Sequence, residues 1–122
     1  MNPVDDTIFG KITRGEIPTE FLYEDDLCVV IRDLYPQAPT HVLIIPRQPI
    51  AMLSAASDDD QALLGHLLIV AGKIAEQLGV QDAFRLVINN GEGGGQTVFH
   101  LHLHLLAGRD MKEGELAQGL AR

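Results

Sequence analysis

The chain has 122 residues, 46% of them hydrophobic, which is the usual size and apolar content of one compact domain. Its formal net charge of -8 argues against nucleic acid or an anionic membrane surface as main partner, and no block of Lys and Arg offsets it. A single cysteine, Cys28, excludes an intrachain disulfide framework and a cysteine cage for a metal. The start, MNPVDDTIFG, lacks the basic residues and apolar run of a secretory signal, and no apolar stretch nears the ~20 residues that cross a bilayer. A soluble cytoplasmic protein is expected, one domain over residues 1–122 with 107–122 as a C-terminal tail.

Asp5 or Asp6 can cap a short helix in which Ile8, Phe9 and Ile12 share a face, with Gly15 suited to the position past its end and Pro18 beyond. EFLYE and LCVVIRD, parted by Asp25 and Asp26, read as a hairpin, in which Cys28 is an ordinary small apolar residue. LYPQAPT carries two prolines and is a loop, and HVLIIP is a third strand. Ser57 opens a long helix with Asp58, Asp59 and Asp60 in its first turn; it runs to about Leu78 and stops at Gly79. Leu63, Leu64, Leu67, Leu68, Ala71, Ile74, Ala75 and Leu78 recur at helical spacing and face the core. Ala62, Gly65, Ile69 and Gly72 give the same helix a second small or apolar face, which suits packing against a partner subunit. His66, away from any motif, belongs to its surface or interface. FRLVIN is the next strand, NGEGGGQ a glycine loop and TVFHLHLHLL the last strand, followed by a tail of weak helical pattern. The fold class is α+β: an antiparallel sheet of about five strands covered by one long helix, with a short N-terminal helix.

Successive strand side chains alternate in direction, so His100, His102 and His104 share one face while Phe99, Leu101, Leu103 and Leu105 line the other, under the helix. Three readings of the histidine face compete. It is a solvated polar surface, a metal site completed by His41 or a carboxylate, or a phosphate site. The last reading joins the row to the loop before it, where Gly91, Gly93, Gly94 and Gly95 can adopt positive φ and turn N–H groups toward one point. Asn89, Asn90, Gln96 and Thr97 add side-chain donors. Two imidazolium charges about 7 Å apart repel by about 2 kcal/mol at an effective dielectric near 20, so at least one ring stays neutral and nucleophilic. The serines, Ser54 and Ser57, lie outside any nucleophile-elbow setting.

The run HLHLHLL is similar to the signature of the histidine triad family, three histidines alternating with hydrophobic residues and closed by two more. DTIFGKI, IPTEFLYEDD, DLYPQAPTHVLIIPR, LLGHL and GGGQTVFHLHLHLLAGR also resemble the nucleotide-binding branch of that family, which hydrolyses purine nucleoside phosphoramidates. Together they cover roughly residues 6 to 110. The resemblance implies a histidine-triad-like fold, a homodimer, a purine nucleotide (AMP or GMP) site on each subunit, and a two-step reaction without metal or cofactor. Position by position it implies that His102 attacks the α-phosphorus to form a nucleotidyl-histidine, that His104 and His100 contact phosphate, and that His41 lies behind the triad. It likewise makes Asp33 the acceptor for both ribose hydroxyls, places Asn89, Gly95, Gln96 and Thr97 in the phosphate loop, and assigns the purine slot to Ile8, Phe9, Ile12, Leu34 and Leu43. Thr97, where serine is common, would bond the departing amine. The tail DMKEGELAQGLAR has no aromatic residue at the end that reaches toward the leaving group in this family. A dinucleoside polyphosphate hydrolase or nucleotidyltransferase, a nucleotide-sensing interaction module with residual catalysis, and a metal-binding protein are the alternatives.

Overall fold

The computed structural model describes residues 7–115. The first helix, α1 (Ile8–Thr13), is capped by Thr7, whose hydroxyl accepts from Gly10 N–H at 3.0 Å. The expected caps, Asp5 and Asp6, lie outside the described residues. Thr7 takes the role because its extended backbone holds the hydroxyl over the first turn's amides. Gly15 ends the helix as expected, at φ +77, a conformation that disfavours any side chain.

Five strands form one sheet: β1 (Tyr23–Glu24), β2 (Cys28–Arg32), β3 (Thr40–Pro46), β4 (Phe84–Val87) and β5 (Leu103–Ala107). Their order is β1-β2-β3-β5-β4, with every neighbouring pair antiparallel. Four strands are shorter than the patterning suggests, LCVVIRD and FRLVIN by two residues each and the other two by more. EFLYE contributes Tyr23 and Glu24, and the histidine segment joins the ladder at Leu103 rather than Thr97. This last shortening follows from β3, which ends at Pro46, a residue with no N–H to offer a neighbour. Upstream of Leu103 the chain is fastened by Leu101 N–H to the Ile50 carbonyl and by the His100 ring to the Pro46 carbonyl, each at 2.7 Å. Alternation survives outside the ladder, and Leu101, Leu103 and Leu105 all enter the core.

The long helix, α2 (Gln61–Gln77), follows a 3-10 turn over Asp58–Asp60. Ser57 and Asp60 form a reciprocal capping box, and Gly79 at φ +75 follows the last turn. Leu63, Leu67, Val70, Ala71, Ile74 and Ala75 pack on Val30, Val42 and Ile44 of the sheet. Two positions differ from expectation. Leu68 is 54% exposed and Val70 is buried, because Leu68 lies roughly 100° around the helix from Leu67, at the edge of the stripe. Leu64 and Leu78 are half-buried. The sheet's other face is covered as well: Phe9 and Ile12 of α1 pack on Val29, Ile31, Leu43 and Ile45. Burial on both faces explains why β2 and β3 read as continuous apolar runs.

Asp25 and Arg47 pin α1 in place. Asp25 Oδ1 accepts from Leu27 and Cys28 N–H, both at 2.8 Å, and Oδ2 accepts from Tyr23 Oη at 2.8 Å and His66 Nε2 at 2.7 Å. His66 is thus a half-buried partner of the β1–β2 turn rather than a free surface group. Arg47 donates to the Asp25 carbonyl at 2.8 Å and to the Thr13 carbonyl at the end of α1 at 2.7 Å, where a helix has carbonyls to satisfy. Burial raises the Asp25 carboxyl, but the hydrogen bonds, led by Tyr23, outweigh it and hold the group well below the usual carboxylate range. Folding therefore favours the ionised form. Its contribution is complete above the unfolded pKa near 4 and fades as pH falls toward the lower folded value. Asp25→Asn is expected to cost roughly 1–2 kcal/mol at pH 7 and to flatten the loss of stability between about pH 5 and pH 2. Urea unfolding across that range measures both effects.

Burial pushes the Cys28 thiol up to about 12, in keeping with an inert core residue. Past β5, Arg85 on β4 donates to the carbonyls of Lys112 and Glu115, at 2.7 and 2.9 Å, so the described start of the tail is strapped across the sheet edge. The rest of the tail lies outside the described residues. Gly108, at φ +93, would place a Cβ 2.9 Å from Pro39, so no larger residue fits there. Among the described residues no helix is long and apolar enough to cross a membrane.

Candidate active site

Strand register brings the fourth histidine to the row. His41 on β3 pairs with Leu106 and Leu43 with His104, which makes His41 and His104 diagonal neighbours on the face opposite α2. His41, His100, His102 and His104 are 5%, 0%, 3% and 0% exposed, so the solvated-surface reading does not hold. The His102 and His104 rings have centroids 5.1 Å apart, and those of His41 and His104 are 5.2 Å apart. Phe9 of α1 stands edge-on to His102 with centroids 4.8 Å apart.

Backbone groups decide where the ring protons sit. His102 Nδ1 is 2.7 Å from the His100 carbonyl, an acceptor, so Nδ1 carries the proton and the lone pair is on Nε2. His100 Nε2 is 2.7 Å from the Pro46 carbonyl and must donate to it. His41 Nδ1 accepts from Gln37 N–H at 3.0 Å, which puts the His41 proton on Nε2, directed at His104 Nδ1, 3.0 Å away. His104 Nδ1 then accepts, and its own proton is on Nε2. A second proton on His104 Nδ1 would meet the His41 N–H head-on, so this pair holds His104 as a neutral donor. The row thus offers a nucleophilic lone pair on His102 and an N–H donor on His104.

The glycine loop is built differently from a cradle of four converging amides. Only Gly91 and Gly95 of its glycines have positive φ, at +77 and +91, flanking a 3-10 turn over Glu92–Gly94. The N–H groups of Gly94, Gly95 and Gln96 turn back onto the Gly91 and Glu92 carbonyls. Gln96, expected as a phosphate donor, is 1% exposed; its amide donates to the Ala51 and Val98 carbonyls while its oxygen accepts from Gly91 N–H. It braces the loop. Asn90 Oδ1 accepts from Ser54 N–H and ties the loop to the turn before α2. Thr97 is exposed at the loop's exit, and the next residue, Val98, packs against the Phe9 cluster on the histidine face. Asn89 and Gly94 line a cavity of about 520 Å³ along β4, with Val87, the residue paired with His104.

The remaining expected site residues divide. Phe9, Ile12 and Leu43 share one buried cluster, whereas Ile8 is 49% and Leu34 79% exposed. Asp33 is buried beside His41, with Oδ2 3.4 Å from His41 Nε2. Asp33, His41 and His104 each offer one ligand atom, all within 4.8 Å of one another, and so do Asp25, Cys28 and His66. The first set already shares the proton between two of its nitrogens, and the second joins the hydrogen-bonded Asp25–His66 pair to a thiol held protonated by burial. Sequence reasoning missed the Phe9–His102 contact, the bracing by Gln96, and the Pro46 and Gln37 backbone groups that set the tautomers. None of these carries a motif of its own.

The chain is similar to known proteins in both sequence and structure. The HIT domain matches residues 14–111. A HIT-like protein of Synechocystis is 62% identical over 105 residues, covering 86% of this chain and 92% of its own length. The purine nucleoside phosphoramidase of Escherichia coli is 48% identical over 108 residues, covering 88% of this chain and 91% of that enzyme. A HIT family hydrolase from Legionella pneumophila superimposes with a TM-score of 0.86 at 47% identity, over 89% of this chain and 98% of that one. A buried, alternating histidine row on a five-stranded antiparallel sheet, matched over most of its length in sequence and in structure, places this chain in the HIT, or histidine triad, family.

Proposed function

We propose that the protein hydrolyses the P–N bond of purine nucleoside phosphoramidates through a nucleotidyl-histidine intermediate on His102. The observation that carries this reading is the His102 tautomer: a carbonyl holds its Nδ1 proton, so Nε2 is a neutral nucleophile, beside a histidine kept as an N–H donor. The 48% identity with the Escherichia coli purine nucleoside phosphoramidase supports the choice of substrate.

In the first step the His102 Nε2 lone pair forms a bond to the α-phosphorus and the P–N bond breaks. The departing nitrogen takes up a proton through the Thr97 hydroxyl, which regains one from water. Positive charge on the His102 ring is met by the His100 carbonyl at Nδ1, and the His104 Nε2–H donates to a phosphate oxygen as charge builds there. In the second step water attacks phosphorus, the P–Nε2 bond breaks, and the nucleoside monophosphate leaves as the water releases a proton. Gly95 and Asn89 stand at the phosphate, His100 supports the row, and Asp33 accepts from the ribose. Phe9, Ile12 and Leu43 form the floor of the purine slot, with Ile8 and Leu34 at its exposed rim. Brief reaction with a labelled adenosine phosphoramidate, followed by acid quench and mass spectrometry, should find the adduct on His102. An adduct on another residue would move the nucleophile.

The working unit in this reading is a cytoplasmic homodimer joined through α2. Ala62, Gly65, Ile69 and Gly72 are all exposed on its outer face, and a Cβ added at either glycine would meet nothing within 4 Å. Next to them Leu53 and Leu68, both exposed, border an apolar cavity of about 210 Å³. A second copy would cover this surface. Light scattering should give twice the chain mass of 13.3 kDa, and a mass of one chain would count against the dimer.

A further inference from the structure

Asp33 follows β2 directly, and the chain folds it back on β3. Its N–H donates to the His41 carbonyl at 3.0 Å, and its Oδ1 accepts from Tyr35 N–H at 2.8 Å. These bonds leave Oδ2 3.4 Å from His41 Nε2, with both side chains 1% exposed. The same nitrogen is 3.0 Å from His104 Nδ1. One N–H of His41 is therefore set between a buried carboxylate and the ring of His104.

A neutral His41–His104 pair has two possible proton arrangements. In the first, His41 Nε2–H donates to His104 Nδ1, and His104 carries its proton on Nε2. In the second, His104 Nδ1–H donates to a lone pair on His41 Nε2, the His41 proton moves to Nδ1, and His104 Nε2 is left as an acceptor. Gln37 opposes the second, since its N–H would face another N–H across 3.0 Å. Asp33 opposes it as well. A lone pair in place of a proton 3.4 Å from a carboxylate is repelled, and strongly so where water is excluded.

We propose that Asp33 is a positioning residue, whose carboxylate selects the proton arrangement in which His104 presents Nε2–H, and not a lone pair, to the phosphate. This rests on the phosphoramidase reading above and goes beyond the sugar contact. A carboxylate has about four lone-pair sites, so ribose and His41 draw on one group. Asp33 then matters to the chemistry even when the substrate has no sugar hydroxyl to bind.

The test compares wild type and Asp33→Asn on adenosine 5′-phosphoramidate and on its 2′,3′-dideoxy analogue, and reads the His104 tautomer in the ligand-free protein by imidazole nitrogen NMR. The expected result is a fall in kcat of roughly ten- to a hundredfold, by the same factor on both substrates, with KM on the dideoxy analogue little changed. The Nε2-protonated His104 signal should give way to a mixture, and Asp33→Glu should recover part of both losses. A defect confined to the ribonucleotide, or an unaltered His104 tautomer, overturns the proposal. If wild type cleaves neither substrate, the phosphoramidase reading fails instead, and the tautomer alone decides for or against Asp33. Asp33→Ser replaces the Asn variant should the latter not fold.

Discussion

His102→Ala is expected to fold and to bind AMP while losing turnover on an adenosine phosphoramidate by about 10⁴-fold or more, together with the covalent adduct. The size of the loss follows from the chemistry. Without the Nε2 lone pair there is no first step, and water must attack phosphorus directly against the same leaving group. Binding persists because the neighbouring donor on His104 and the brace of the glycine loop do not depend on the His102 ring. Steady-state kinetics and AMP titration of the purified variant separate the two effects. Hydrolysis near the wild-type rate would remove His102 from the role of nucleophile, whatever the rest of the row does.

Gln96→Ala is expected to have the largest effect on stability, about 2–4 kcal/mol by urea unfolding, with activity falling as well. Three hydrogen bonds disappear at once, each worth roughly 1 kcal/mol net, and the backbone groups left behind at Gly91, Ala51 and Val98 pay a further desolvation cost wherever water cannot reach them. The loop's internal amide bonds remain, which keeps the estimate at the lower end of a full network loss. Gln96→Glu makes a sharper comparison. It keeps the length of the side chain but turns two donated bonds into oxygen facing oxygen, so it should be at least as destabilising as alanine. A loss below about 0.5 kcal/mol in both variants would show that the loop holds its shape without the brace.

Much of this molecule was readable in advance, and for identifiable reasons. The capping box at Ser57, which closes the 3-10 turn leading into α2 and not α2 itself, the stop at Gly79, and the turn at Gly15 are local events, written in residues whose chemistry acts within a few positions of themselves. The alternation from His100 to Leu105 divides the histidines from the core leucines wherever the backbone is extended, ladder or not. What misled the reading was also physical. Leu68 counted toward the stripe because it is a leucine at helical spacing, but the width of the buried arc is set by what packs against it. The four glycines suggested converging amides, yet a 3-10 turn used three N–H groups of the loop on its own carbonyls.

From the order of residues alone came most of the secondary structure and the facing of the histidines, because both depend on short-range periodicity, while the choice of His102 as candidate nucleophile came from the resemblance to the histidine triad family. The protonation pattern did not. It is set by the Pro46 and Gln37 backbone groups, by Asp33 beside His41, and by the diagonal placement of His41 and His104, contacts made across strands and loops. A ring's tautomer depends on which partner reaches each nitrogen within about 3 Å, and only the folded chain determines that distance.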